Sequence, residues 1–171
     1  TEDATAYLNI VPAHHVERLL WAEAERMAQL QVHQEQLLSE RAVVASEFRQ
    51  KVLGEPYGRL FHGMAPAFWQ EHPYRHPVIG RVEDLQAASL DDVLRFHATY
   101  YRPDNATLIV SGRFDVPRTL AWIREAFAPI ARPKAPLREP YTLDAAQDGE
   151  RSVTLRRAGG VPLLYAAYHV M

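Results

Sequence analysis

Cysteine is absent from the 171 residues, which rules out disulfides, thiolate metal sites and a cysteine nucleophile, and leaves the cellular compartment open. An excess of either charge is missing as well. With a net charge of −2 there is no electrostatic case for nucleic acid or an acidic membrane surface as partner. No apolar run approaches the roughly 20 residues that cross a bilayer, and no leader pattern is visible. A glycine-rich phosphate cradle and a G-x-S-x-G nucleophile setting are also lacking, so nucleotide binding and serine hydrolysis have no support. What remains is a chain 47% hydrophobic and 23% charged, the composition of a globular domain and not of a disordered one.

Periodicity divides the chain. Ala4 to Val11 is rich in β-formers and ends at Pro12, which predicts a strand. Val16, Leu19, Leu20, Ala24, Met27 and Leu30 recur at helical spacing within residues 14–31. A second helix is predicted over 34–53, closed by Gly54 and Pro56, and a third, weakened by Gly58, Gly63 and Pro66, over 57–68. Pro73 and Pro77 fix an extended loop at 72–80. Ser89 and Asp92 form a helix start of capping-box type, and that helix stops before Pro103. Asn105 to Gly112, nearly all apolar, predicts a central strand buried on both faces. Asp115 leads into a helix with Pro117 in its first turn and Leu120, Ile123, Phe127 and Ile130 along one face.

Pro129, Pro133, Pro136 and Pro140 then mark a linker, after which 151–157 and 161–170, joined at Ala158-Gly159-Gly160, read as a hairpin. Helices alternating with buried strands indicate an α/β (α+β) layer architecture. Thr1 is not an initiator, and the last apolar run reaches Met171 with no turn signal. A piece of a longer protein is therefore expected, with an exposed edge at 151–171 on which a second copy could pair.

The second helix carries the chemistry. Glu40 and Glu47 are seven residues apart, so they share one face about 10 Å apart along the axis, with Val43 and Val44 between them. Two readings stand at this point. Either the face is solvated and Glu47 pairs with Lys51 four residues on, or the acids are set against an apolar stripe because a cation neutralises them. The eight histidines add little to the second reading. His14 and His15 are adjacent and point about 100° apart on a helix, and prolines deny His72 and His76 the helix that would join them. Turn and cap roles are expected for these pairs, and structural roles for His62, His97 and His169.

Several stretches together resemble one family. Glu40-Arg41-Ala42-Val43-Val44-Ala45-Ser46-Glu47 is similar to the helix of the pitrilysin/insulinase zinc metallopeptidases that follows their inverted H-x-x-E-H motif. Leu20 to Met27, Tyr57-Gly58, His72-Pro73-Tyr74, Pro77 to Gly80, Tyr100 to Ala106 and Ser111 to Asp115 match bacterial members in colinear order. The resemblance implies that Glu47 is the third zinc ligand and Glu40 a supporting acid near the site. It further implies a Zn²⁺ that activates water in the intact protein, and a peptide as substrate.

The resemblance also implies helices packed on a mixed β-sheet, with residues 1–130 as the C-terminal part of the metal-site domain. Residues 131–150 would be a linker and 151–171 the first hairpin of a second, similar domain. The sequence departs from the family in one respect: it contains no H-x-x-E-H. A catalytic zinc needs three protein ligands, so this stretch alone is expected to hold no metal and to be inactive. The resemblance leaves two functions open, a zinc endopeptidase or the non-catalytic partner subunit of a heterodimeric peptidase. It leaves both periplasm and cytoplasm open as compartments.

Overall fold

A computed structural model describes residues 1–137 and 142–168 of the chain. The described residues form two compact units. One contains residues 1–5, 38–87 and the described part of 140–171; the other contains 6–37 and the described part of 88–139.

The expected α/β (α+β) architecture does not form: among the described residues there are helices and turns but no strand and no sheet. The stretches 4–11, 105–112, 151–157 and 161–168, all expected to be strands, exchange no backbone hydrogen bonds with one another. The reason is physical. A helix closes its hydrogen bonds inside its own sequence, whereas a strand is completed only by a neighbour in register. Ile109, at the centre of the stretch expected to be buried on both faces, is 81% exposed. At the expected hairpin turn the chain only bends, with Gly159 and Gly160 at φ 87° and 84°, and the arms on either side do not pair. The linker residues 138–141 and the end of the last expected strand, 169–171 with His169, lie outside the described residues.

The expected helices do form. In the second unit α1 (Val16–Ala28) packs on α6 (Val116–Phe127). Leu20 and Ala24 are buried on α1, and Thr119 is buried on α6. Asp115 caps α6 by accepting from the Arg118 N–H at 2.8 Å, and Pro117 occupies the first turn, where its missing N–H costs nothing. The helix α5 (Leu90–Tyr100) begins with a full capping box between Ser89 and Asp92. Those Ser89 bonds, and then Arg95, hold the Asp92 carboxyl below its usual range.

Past α5 the sequence Tyr101-Arg102-Pro103-Asp104 makes two knots in the same unit. Tyr101 hydrogen-bonds the Tyr7 hydroxyl and stacks on His97, whose ring N–H donates to Arg26 O at 2.9 Å. Burial, and then the Tyr7 bond, push the Tyr101 phenol up to about 12. Arg102, only 5% exposed, grips both oxygens of Asp104 at 2.6 and 2.7 Å and donates to Ala135 O at 2.9 Å.

α2 (Gln34–Phe48) begins in this unit and continues through the first. There it runs into a π-helical turn, Arg49–Gly54, which buries Val52. α3 (Gly58–Phe68) follows at once. Gly58 is required at that junction: a Cβ there would meet Lys51 O and stand 2.6 Å from Val52 O, both backbone atoms. Pro66 lies inside α3 and removes one backbone donor there, and the helix ends two residues later at Phe68. The loop at 72–80 holds a short 3₁₀ turn, Pro73–Arg75, and is followed by α4 (Val82–Ala87), a helix the periodicity did not predict.

Candidate functional site

α2 carries both candidate acids, and it does so as an unbroken helix, so the seven-residue spacing places Glu40 and Glu47 on one side of it. Their surroundings differ. Glu40 is exposed, and Val43 beside it is exposed too, whereas Val44 and Glu47 are half-buried. No residue of α2 is fully buried. Lys51 Nζ donates to Glu47 Oε1 at 2.5 Å, the pairing that four-residue spacing favours.

Just beyond Glu47 the π-helical turn and the start of α3 border a cavity of about 360 Å³ lined by Lys51, Tyr57, Phe61, His62, Val78 and Ile79, among others. His62 is fixed on its wall. Its ring N–H donates to Gly80 O at 3.1 Å, and the ring stands edge-on to Phe48 at 5.2 Å. That is a structural role, as the sequence suggested. His72 and the His14–His15 pair also have partners. His72 Nδ1 accepts from the Tyr74 N–H at 3.2 Å and caps the 3₁₀ turn, with its ring against Trp69 at 4.7 Å. His14 and His15 sit with rings 4.1 Å apart in the turn that leads into α1.

Among the described residues no three histidine, aspartate or glutamate side chains converge on a point where a cation could sit. The donor set available around Glu47 is one carboxylate already held by a lysine. A catalytic zinc takes three protein ligands, so the described residues do not by themselves fit that ion. The cavity wall at 77–79 was not legible as a site, because it is built of apolar residues in a turn, closed by the Gly80 N–H donating to Pro77 O at 2.7 Å where an extended path was expected, and carries no acid, base or nucleophile.

Comparison with known proteins places the chain. The family model described as the Peptidase M16 inactive domain matches residues 87–170. The zinc protease PqqE of Helicobacter pylori is 28% identical over 158 residues, covering 92% of this chain and 36% of that protein. The uncharacterized zinc protease YmfH of Bacillus subtilis is 30% identical over 70 residues, 41% of this chain and 16% of that protein. The crystal structure of a protease from Helicobacter pylori superposes with a TM-score of 0.75 at 30% identity, over 81% of this chain and 34% of that one. These matches make the chain similar to zinc proteases of the M16, or pitrilysin, family along most of its length. It spans about a third of the length of the Helicobacter pylori relatives.

Proposed function

We propose that this chain is part of a zinc-dependent metalloendopeptidase that hydrolyses peptides with metal-activated water. In that protein Glu47 supplies one carboxylate to the zinc, and Glu40 is a supporting acid nearby. The observation that carries this reading is the match to a named zinc protease over 92% of the chain, a stretch in which α2 keeps both acids on one helix. The ion's remaining ligands come from residues that this sequence does not hold, so the 171 residues alone are inactive. Residues 1–130 belong to the metal-site domain, 131–150 form a linker and 151–171 begin the second domain.

One observation favours a second reading, a non-catalytic partner subunit of a heterodimeric peptidase. The matching family model is described as an inactive domain. Its match covers 87–170 and so leaves out the helix with Glu40 and Glu47, and retention of both acids favours the active reading. Bound zinc per chain and cleavage of an unstructured peptide, measured on the full-length protein and its Glu47→Gln variant, separate the two. Stoichiometric zinc and turnover, both lost in the variant, are expected. A wild-type protein with neither would establish the partner-subunit reading instead.

A further inference from the structure

Residues 151–157 alternate without pairing as a strand, and their alternation is matched to a helix instead. Arg151, Val153 and Leu155 line a cleft of about 330 Å³ with Leu60, Met64 and Phe68 of α3, whereas Ser152, Thr154 and Arg156, which alternate with them, do not. In an extended chain every second side chain shares a face, so these three and Arg157 form one face of the segment. Cations stand at both ends of that face and aliphatic side chains between them.

Each of the two arginines meets the end of a helical element. Arg151 donates to Phe68 O at 3.4 Å, at the C-terminal end of α3. Arg157 donates to Glu55 O at 2.7 Å and Leu53 O at 3.2 Å, where the π-helical turn ahead of α3 stops. A helical C-terminus presents carbonyls that the helix itself does not use, together with the negative end of its dipole, so a guanidinium is favoured at both places. The lengths agree as well. Six steps of extended chain cover about 20 Å, and the 11 residues of α3 cover about 16 Å. Further contacts continue the line on either side. Asp144 accepts from the backbone N–H groups of Gln70, Glu71 and His72 at 2.8, 2.7 and 2.6 Å, Tyr57 donates to Val161 O at 2.8 Å, and Phe61 meets Tyr165 edge-on at 6.4 Å.

We infer that Arg151, Val153, Leu155 and Arg157 are a recognition face that seats the first segment of the second domain lengthwise on α3, antiparallel to it. Val153 and Leu155 are 60% and 51% exposed, so the polar ends, more than the apolar middle, fix direction and register. A slip of one residue would turn Ser152, Thr154 and Arg156 toward the helix and leave both helical ends without their guanidinium. Because Arg157 lands on the turn that continues the Glu47 helix, this seat couples the placement of the second domain to the helix with the candidate ligand. The inference rests on the proposed function only in taking 151–171 as the start of a second domain.

Peroxide oxidation of Met64 in the full-length protein, read by mass spectrometry, tests it without zinc or turnover, and Met27 on α1 serves as the internal reference. The double variant Arg151→Ala, Arg157→Ala should oxidise several-fold faster at Met64 and at the wild-type rate at Met27. Arg156→Ala removes the same charge from the other face and should leave both rates unchanged. Leu155→Ser should speed Met64 alone. A Met64 rate that stays the same in the double variant overturns the inference, as does an equal rise in Arg156→Ala. A rise at Met27 in step with Met64 also overturns it, because the two arginines would then support the whole fold and not this seat.

Discussion

Lys51 Nζ lies 2.5 Å from Glu47 Oε1, so the carboxylate best placed to serve a metal is held instead by a lysine four residues on. The pair is open to solvent: the lysine side chain is 70% exposed and the glutamate side chain 43%. Coulomb attraction at such a position is screened, and two flexible side chains must be ordered to realise it. Lys51→Met should therefore change the unfolding free energy by less than about 0.5 kcal/mol, measured by urea denaturation. A loss well above 1 kcal/mol would show that the ammonium does more than neutralise a surface acid. Combining it with Glu47→Gln in a double-mutant cycle isolates the pair term from any packing contributed by the lysine stem.

Gly58 and Gly63 occupy the same helix and should respond in opposite directions to the same change. A methyl at Gly58 is driven into the carbonyls of Lys51 and Val52, which cannot give way without unwinding the turn. At Gly63 nothing lies within 4 Å of the added atom, and its helical backbone favours alanine. Gly58→Ala is expected to cost about 1–3 kcal/mol or more. Gly63→Ala should stabilise by about 0.5–1 kcal/mol. Thermal unfolding of the two variants reads both signs. Equal, small effects would mean that α3 does not start hard against the π-helical turn.

The contrast between Ser89 and Ile109 shows what the sequence carries and what it does not. Ser89 and Asp92 announce a helix start through residues three apart, and the capping box they form is complete within those few residues. The same holds for Asp115 and Pro117 at the head of α6. The stretch around Ile109 announces apolar character and β-branching, which are properties of a strand that has a neighbour; none pairs with it among the described residues, and it stays exposed. Local hydrogen bonding was legible, and non-local pairing was inferred from composition and overestimated. α4 escaped notice because six residues are too few to show a period, although Glu83 and Asp84 in its first turn favour a helix N-terminus. At the candidate site the spacing of Glu40, Glu47 and Lys51 was readable, since all three lie within a few turns of continuous helix. The Asp144 carboxylate, which accepts from the backbone N–H groups of Gln70, Glu71 and His72, joins residues more than seventy positions apart, and no local pattern encodes that contact.

Asp104 should give the second unit a distinct acid response. The Arg102 guanidinium, bonded to both of its oxygens, holds the carboxyl down at about 2, with Arg132 assisting at 3.2 Å. An aspartate in the unfolded chain titrates near ~3.9. Between those values the unfolded chain binds the proton and the folded one does not, so stability rises with pH across that window. The contribution is fully present above about pH 4 and is lost as the pH falls through about 2. Asp104→Asn removes the charge at every pH and leaves buried Arg102 without its counter-ion, so the variant is less stable than the wild type near neutrality. The two proteins should converge as the pH approaches ~2, where the wild-type carboxyl also becomes neutral. Chemical denaturation at a series of pH values between about 2 and 6 checks this, and a gap that stayed constant across the series would place the effect in packing and not in the titration of Asp104.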